Sequence, residues 1–253
     1  MNYGPWDCDT AMLILIISDI HANLTALNAV LDDAQGYEAV WCLGDIVGYG
    51  PDPNECVQTV RELPNLTCLM GNHDAAVLGL IETNAFNPEA RQVVSWTREV
   101  LDLSNKEFLA RQTAKLKIDG ITLAHASPRY PIWEYLLDTQ TANENFPYFD
   151  TEICIVGHTH VPMIYHHSNG APSTSAQIPE PNSAFELPVR VIANPGSVGQ
   201  PRDRDPRAAY VLFDSESYQW DYHRVPYNIA AVQSRMEKLD LPERHIRRLS
   251  GGW

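Results

Sequence analysis

Short runs of apolar residues, each followed by a polar turn, recur along the first part of the chain. Residues 13–17 are continuous, branched and apolar, which is typical of a strand buried on both faces of a sheet. Residues 39–43 and 66–70 are two further runs of this kind. After the first run, apolar residues return at helical spacing from Leu24, and Asn23 is the predicted N-cap of that helix. The pattern therefore predicts successive strand–loop–helix units and an α/β fold.

The middle of the chain predicts helices, and the final third returns to strands. Residues 75–115 have helical apolar patterns and no strand signal. We interpret them as a small helical cap insertion, the alternative being helices that only cover a sheet face. The later predicted strands are residues 117–124, with a turn at Asp119 and Gly120, then 153–156, 163–166, 189–193, 208–214 and 218–225. Further helices are predicted at residues 133–137, 141–146 and 229–238.

Composition along the chain indicates one domain with two tails. Residues 12–240 form the predicted single domain, since the first strand begins directly after Met12. Residues 1–11 are expected to be an N-terminal tail, and residues 241–253 a basic, loose C-terminal tail. Residues 168–188 are rich in Ser, Asn, Pro and Ala, which predicts a mobile loop.

Charge and overall composition narrow the range of partners. Apolar residues make up 44% of the chain and charged residues 20%, as in ordinary globular proteins. The formal charge of −14 disfavours long nucleic acid and anionic membranes as partners. A small phosphorylated substrate or a phosphoprotein is expected instead. The oligomeric state stays open, with a homodimer as one option.

The number and spacing of the cysteines and the lengths of the apolar runs favour a cytoplasmic location. The chain has five cysteines, an odd number, and no C-x-x-C motif. We therefore expect free, buried thiols in a reducing cytoplasm rather than a disulfide framework or a zinc ribbon. No apolar run reaches the roughly 18 residues of a membrane span, and no basic segment precedes the first apolar run as in a signal peptide.

Polar residues with metal-binding side chains follow most of the predicted strands. They include five of the nine histidines. The carboxyl ends of strands in an open α/β sheet form the edge where ligands bind. The residues are Asp19, His21, Asp45, Asn72, His73, Asp74, His125, His158 and His160. One such residue after a strand is usually structural, but this many strand ends are hard to obtain by accident. The other four histidines, among them His245, are expected at the surface.

The ordered motifs D-x-H, G-D, G-N-H-D, H and G-H-T-H resemble those of the calcineurin-like metallophosphoesterase superfamily. They stand here at Asp19 to His21, at Asp45, at residues 71–74, at His125 and at residues 157–160. The loops 44–56, 125–136 and 194–202 are similar to those of the compact prokaryotic branch of that superfamily. The resemblance spans residues 12–225. It implies a four-layer α/β sandwich of two mixed β-sheets flanked by helices.

The same resemblance implies a site for two divalent transition-metal ions per chain. The first ion would be held by Asp19, His21, Asp45 and His160. The second would be held by Asp45, Asn72, His125 and His158. Oxygen and nitrogen ligands without thiolate suit Mn, Fe, Zn, Co or Ni rather than Mg or Ca. Asp45 belongs to both sets, because a carboxylate can span two ions about 3.5–4 Å apart.

The implied reaction is hydrolysis of a phosphomonoester or phosphodiester by a metal-activated water molecule. In the family, the histidine at the position of His73 protonates the leaving oxygen, and the aspartate at the position of Asp74 holds that histidine in orientation. An imidazole suits proton transfer near pH 7. Arg129 and Arg202 could bind substrate phosphate or could only pair with nearby carboxylates.

Two other classes of function are alternatives to this enzyme. Some members of the superfamily are catalytically silent scaffolds that bind proteins, and these tend to lose the catalytic histidine. Here His73 and all seven ligand candidates are present. The second alternative is a nuclease, against which the charge of −14 and the absence of a basic stripe count. The sequence does not identify the substrate, the choice between monoester and diester, or the native metals.

Overall fold

The computed structural model describes residues 12–168 and 174–253. Within these residues the strands are β1 (Leu13–Ile17), β2 (Ala39–Cys42), β3 (Leu66–Cys68), β4 (Lys115–Ile118), β5 (Ile121–Ala124), β6 (Ile153–Val156), β7 (Met163–His167), β8 (Thr174–Gln177), β9 (Ser183–Glu186), β10 (Val191–Asn194), β11 (Ala208–Asp214) and β12 (Gln219–Val225). The α-helices are α1 (Leu24–Asp33), α2 (Pro53–Arg61), α3 (Asn72–Val77), α4 (Pro88–Val100), α5 (Leu103–Ala110), α6 (Thr139–Asn145), α7 (Ile229–Lys238) and α8 (Glu243–Gly251).

Local sequence signals fix where several of these elements begin. The side chain of Asn23 accepts a hydrogen bond from the Ala26 N–H at 3.1 Å, so the predicted N-cap of α1 is confirmed. Asp119 and Gly120 both have positive φ angles, of 48° and 76°. They form the turn between β4 and β5, which pair antiparallel.

The strands form two six-stranded sheets of mixed direction. The order is β3-β2-β1-β11-β12-β9 in the first sheet and β4-β5-β6-β10-β7-β8 in the second. In the first sheet β1, β2 and β3 run parallel, whereas β11 pairs antiparallel with β1. In the second sheet β5, β6 and β10 run parallel. The parallel strands are therefore neighbours within each sheet, and their carboxyl ends lie along one edge.

An apolar core between the two sheets holds them face to face. Ile16 and Trp41 of the first sheet and Ile155 of the second are buried in it. Each fully buried side chain of this kind contributes roughly 1.5–3 kcal/mol to folding. A second core, which includes Leu27 of α1 and Val57 of α2, joins helices to the first sheet. A third joins α6 to the second sheet. The predicted four-layer α/β sandwich is therefore confirmed.

The helical segment between β3 and β4 contains α3, α4 and α5, as the apolar pattern predicts. The helical pattern predicted over residues 75–115 extends too far at its end, because α5 ends at Ala110 and β4 already begins at Lys115. Phe86, Asn87 and Ala90 of the segment line a cleft that also contains His73. The segment thus borders the site, and its role as a cap stays a prediction.

The predicted mobile loop 168–188 is wrong at two four-residue strands, β8 and β9. β8 pairs antiparallel with β7, and β9 pairs antiparallel with β12. Both strands lie at sheet edges, where side chains are largely exposed. Polar composition therefore does not distinguish an edge strand from a loop. Residues 169–173 lie outside the described residues.

The predicted loose C-terminal tail, residues 241–253, is also wrong, because it contains α8. Ile246 and Leu249 of this helix are buried against Val232 and Met236 of α7. His245, expected at the surface, is completely buried. Of the basic residues that suggested a loose tail, Arg244 and Arg247 are exposed, whereas Arg248 is half-buried. The predicted helix at residues 133–137 is also absent from the structure.

The remaining expectations concern thiols and membranes. Cys42, Cys56, Cys68 and Cys154 are free and buried, whereas Cys8 lies in the predicted tail 1–11, outside the described residues. Across residues 12–168 and 174–253, no helix has the length and apolar character needed to cross a bilayer. The cytoplasmic location stays a prediction.

Candidate metal centre

Seven side chains predicted as metal ligands lie together at adjoining strand ends. Asp19 and Asp45 follow β1 and β2 of the first sheet, and His125 and His158 follow β5 and β6 of the second. Because the two sheets pack face to face, their edges bring these residues into one place. All seven are at most 3% exposed, and they are Asp19, His21, Asp45, Asn72, His125, His158 and His160.

The carboxylate of Asp45 stands between two groups of ligands. Its Oδ2 lies 3.6 Å from Nε2 of His21 and 3.6 Å from Nε2 of His125. Its Oδ1 accepts a hydrogen bond from the backbone N–H of His73 at 2.8 Å. One oxygen is therefore fixed by the backbone, and the other faces both groups.

The first group consists of Asp19, His21, Asp45 and His160, whose ligand atoms all lie within 4.8 Å of one another. Nδ1 of His21 lies 3.2 Å from the Val47 carbonyl oxygen, and Nδ1 of His160 lies 2.6 Å from that of Gln200. Nδ1 therefore carries the proton in each ring, and the Nε2 lone pairs face inward. The two Nε2 atoms are only 3.0 Å apart.

The second group consists of Asp45, His125 and His158, with ligand atoms again within 4.8 Å of one another. Nδ1 of His125 lies 2.8 Å from the Leu43 carbonyl oxygen, so Nδ1 donates and Nε2 is left with a lone pair. That Nε2 faces Oδ1 of Asn72 at 3.1 Å. Nε2 of His158 is buried and has no hydrogen-bond partner among the described residues.

Both groups therefore bring acceptor atoms against acceptor atoms without a donor between them. Lone pairs that face each other at about 3 Å repel, unless a cation lies among them. The atoms are nitrogen and oxygen, without thiolate, as suits Mn, Fe, Zn, Co or Ni. The residues thus fit two divalent cations that share Asp45, and which metals bind stays a prediction.

Burial shifts the pKa values of the candidate ligands and so determines their protonation before a cation binds. It raises the pKa of Asp19 to about 7. Burial, and then the Asp74 carboxylate, raises the pKa of Asp45 well above its usual range. Burial lowers the pKa of His21 and His160 well below the ordinary value. Near pH 7 these two imidazoles are therefore already in the neutral form that binds metals.

The backbone of the site lies in an unusual conformation. Five of the seven ligand candidates have positive φ angles although none is glycine: Asp19 (54°), His21 (48°), Asp45 (53°), His158 (66°) and His160 (60°). Such residues cost of order 1–3 kcal/mol each, and they are concentrated at functional sites. The left-handed residues turn the chain sharply after each strand, so that the side chains project over the sheet edge.

His73, the predicted proton donor, lies beside the two groups on α3. Its ring is centred 4.9 Å from the ring of His21 and 4.3 Å from that of Tyr49. Its Nδ1 is buried without a hydrogen-bond partner among the described residues. A Cβ atom at Gly48, whose φ is +96°, would lie 2.5 Å from this Nδ1. Glycine is therefore required there if the imidazole is to occupy this position.

Asp74 does not orient His73, so that prediction is wrong. Its Oδ2 accepts the backbone N–H groups of Asp45 (2.8 Å) and Gly71 (2.9 Å), and its Oδ1 accepts that of Val47 (3.1 Å). Adjacent residues on a helix point about 100° apart, so a neighbour in sequence is not a neighbour in space. Asp74 instead holds the loop after β2, and with it Asp45.

Arg129 is not available to a substrate. Its guanidinium pairs with Glu134 and with Glu144, the latter at 2.8 Å. The alternative reading of this residue, a pairing with nearby carboxylates, is therefore correct.

Arg202, unlike Arg129, does not pair with the carboxylates next to it in the sequence. The neighbouring Asp203 pairs with Arg224, and Asp205 pairs with Arg207, so neither pairs with Arg202. The Arg202 guanidinium lies 5.8 Å from the centre of the Tyr49 ring. It therefore lies beside the site, and it has no carboxylate partner within residues 12–168 and 174–253.

A cleft with a volume of about 390 Å³ opens beside the metal centre. It is lined by Tyr49, Asn72, His73, Phe86, Trp133 and Tyr135, with Ala85, Asn87 and Ala90. Its size lies within the range of small-molecule sites. The rings provide an apolar wall next to the ligands, and the ring of Tyr135 is centred 4.1 Å from that of His158.

Sequence reasoning missed three residues beside the site, namely Gln200, His245 and Arg248. The backbone carbonyl of Gln200 orients His160, and no sequence signal marks such a carbonyl. His245 and Arg248 were assigned to a loose tail. The spacing of Ile246 and Leu249 is the signal that could have identified a packed helix there.

Comparison with known proteins identifies the family. The model of the calcineurin-like phosphoesterase superfamily domain matches residues 12–218. The chain belongs to the calcineurin-like phosphoesterase superfamily. Membership makes this phosphoesterase a metal-dependent phosphoric ester hydrolase. The expectations drawn from the five motifs, for the family and for its fold, are thereby confirmed.

Two relatives are similar to this phosphoesterase over nearly its whole length. The crystal structure of a metallophosphoesterase from Sphaerobacter thermophilus has a TM-score of 0.89 and 44% identity, and the match covers 96% of this chain and 100% of that one. An uncharacterized protein of Methanocaldococcus jannaschii is 37% identical over 238 residues, which are 91% of this chain and 94% of that protein.

A more distant relative has a named activity. The symmetrical bis(5'-nucleosyl)-tetraphosphatase of Erwinia tasmaniensis is 37% identical over 140 residues. These residues are 53% of this chain and 50% of that protein. The phosphoesterase thus matches only about half of this relative.

We predict that cation binding releases more protons at pH 6 than at pH 8. The pKa of Asp19 is about 7 in the cation-free protein, so its carboxyl is mostly protonated at pH 6 and mostly ionised at pH 8. A metal ligand must be deprotonated, so the difference should be about one proton per chain. Calorimetric titration with Mn²⁺ in buffers of different ionisation enthalpy measures it. The exposed Asp150→Asn variant should behave like the wild type, whereas equal release at both pH values would contradict the assignment of Asp19.

Proposed function

We propose that this phosphoesterase hydrolyses a small phosphomonoester or phosphodiester at the seven-residue centre, with His73 as the proton donor. The observation that carries the proposal is the position of Asp45 Oδ2, at 3.6 Å from an imidazole nitrogen of each group. A carboxylate oxygen in this position can join two cations into one centre. Such a centre acts on both the attacking and the leaving oxygens of a phosphoryl transfer.

Each candidate ligand is assigned to a cation according to the group in which it lies. Asp19, His21 and His160 would hold one cation, Asn72, His125 and His158 would hold the other, and Asp45 would belong to both sets. Two divalent cations supply, when bound, the charge that activates water and neutralises the phosphate oxygens. Carbonyl groups of Val47, Gln200 and Leu43 fix the three imidazoles through Nδ1, and this fixes where each Nε2 points.

His73 is suited to protonating the leaving oxygen by its place in the cleft. Burial, and then the Arg202 guanidinium, lowers the pKa of His73. The imidazole is therefore neutral before substrate binds near pH 7. A phosphate anion beside the ring stabilises the imidazolium form and so raises the pKa. The substrate itself thus prepares His73 to give up a proton as the leaving group departs.

Arg202 completes the site as an anion-binding residue. A planar guanidinium matches the geometry of phosphate oxygens. The nearby Asp203 and Asp205 are engaged by other arginines, so substrate does not have to compete with them for Arg202.

The size of the cleft favours a small substrate over long nucleic acid or a folded phosphoprotein. Its aromatic wall suits a substrate with a flat apolar group, such as a nucleobase. The name of the Erwinia tasmaniensis relative also points to a nucleotide with a phosphate chain. Nucleotides therefore belong in the substrate panel, together with simple esters.

We predict turnover of p-nitrophenyl phosphate, its bis-ester, or both, once Mn²⁺, Co²⁺, Ni²⁺ or Zn²⁺ is added to the chelator-treated protein. The released p-nitrophenol is measured by its absorbance, and the protein without added metal is the control. Absence of turnover with every substrate and all four metals would favour the silent scaffold. Cleavage of single-stranded DNA at a higher rate than of any small ester would favour the nuclease.

We predict that His73→Ala lowers the rate by about 10²–10⁴-fold, the usual contribution of general acid–base catalysis. The loss should be larger for phenyl phosphate than for p-nitrophenyl phosphate, because a poorer leaving group depends more on protonation. Metal content, measured by elemental analysis, should stay at the wild-type value. His166→Ala, a half-buried histidine on β7, is the matched control. Equal losses for both esters would contradict the role of His73 as proton donor.

A further inference from the structure

The C-terminal helix α8 brings a second arginine to the metal centre. Nη2 of Arg202 lies 2.9 Å from Oε1 of Gln200, and Nη1 of Arg248 lies 3.4 Å from the same oxygen. The backbone carbonyl of that glutamine holds His160 of the first ligand group. Two guanidinium groups therefore share one acceptor, and the residue that provides it, Gln200, also contacts the candidate metal ligand His160.

Neither arginine has a carboxylate partner among the described residues. The shared Gln200 oxygen is the one hydrogen-bond acceptor that their guanidinium groups have there. Nε of Arg202 and Nε of Arg248 are both buried without a hydrogen-bond partner in the same part of the chain. Both residues are half-buried, and a buried N–H of a charged group is costly unless a partner satisfies it.

Several other arginines of the described residues do pair with carboxylates. The chain has 32 acidic residues against 18 Lys and Arg, so carboxylates are plentiful. Arg207, Arg224 and Arg235 each pair with an aspartate. Burial, and then the neighbouring Arg202, lowers the pKa of Arg248, as expected of two like charges in contact. Two adjacent guanidinium groups without an acid are the usual surroundings of a bound anion.

Tyr49 and Gln200 place the pair beside the candidate metal centre. The Arg202 guanidinium is 5.8 Å from the Tyr49 ring centre, and the other ring contacts of Tyr49 include His21 at 4.6 Å and His73 at 4.3 Å. Since the Gln200 carbonyl holds His160, an anion held by both arginines would lie beside the first ligand group. A phosphoryl group linked to the scissile phosphate could reach this position.

We propose that Arg202 and Arg248 bind a phosphoryl group adjacent to the one that is cleaved, and that the preferred substrates carry two or more linked phosphates. The proposal rests on the proposed function, since it places the scissile phosphate at the metal centre. It assigns α8 a part in substrate selection and makes Arg248 a specificity-determining residue.

The test compares binding of tripolyphosphate and of orthophosphate to the Mn²⁺-loaded protein by calorimetry. We expect Arg248→Ala to weaken tripolyphosphate binding by about ten- to hundred-fold, the range for one charged hydrogen-bonded contact. Orthophosphate, which can bind at the metals alone, should lose less affinity. Because the probe chelates Mn²⁺ equally in every sample, differences between variants report on the protein. Binding is measured without turnover, so the result does not depend on finding a hydrolysed ester.

Two further variants make the outcome decisive. Arg247→Ala removes an exposed arginine that pairs only with Glu243 on the same helix, so it is the matched control and should bind both probes as the wild type does. Arg248→Gln removes less of the side chain than Arg248→Ala does and so limits the loss of packing next to Trp253. The inference is overturned if Arg248→Ala, shown by its thermal melt to be folded, binds tripolyphosphate as tightly as Arg247→Ala does. Equal losses for both probes in Arg248→Ala and Arg248→Gln would also overturn it.

Discussion

The two oxygens of the Asp45 carboxylate face different parts of the molecule, and the arrangement of the site depends on this division. Oδ1 is fixed by the backbone N–H of His73, so the side chain cannot rotate freely. Oδ2 is then left between imidazole nitrogens that come from different sheets, His21 from the first and His125 from the second. The two ligand groups can share a centre only while the core between the sheets holds these edges together.

The geometry around Asp45 is costly, and specific interactions offset the cost. Acceptor atoms face one another, and several residues have left-handed backbone conformations. Asp74 stabilises this backbone conformation, because its carboxylate accepts three backbone N–H groups, one of them from Asp45 itself. Bound cations would supply the positive charge that the buried lone pairs lack. The chain is strongly acidic as a whole, yet Arg202 gives the substrate side of the centre a local positive charge.

The sequence identified the candidate ligands that the structure brings together, but it predicted less of their surroundings, for physical reasons. Continuous apolar runs define buried parallel strands, so the bounds of β1 and β6 were predictable, and the polar residues after them marked the site. The role of Asp74 was not predictable, because its partners are backbone groups. The edge strands β8 and β9 have the polar composition of a loop. The packing of α8 depends on apolar residues interspersed with arginines, so Arg248 was assigned to a tail.

Anomalous diffraction from crystals grown with Mn²⁺ would show whether two cations share Asp45. We expect two anomalous peaks about 3.5–4 Å apart, the spacing of two-metal phosphoryl-transfer sites. One peak should lie among Asp19, His21 and His160 and the other beside His125 and His158, with Asp45 Oδ2 in contact with both. A single peak, or two peaks of which only one contacts Asp45, would show that Asp45 does not join two cations.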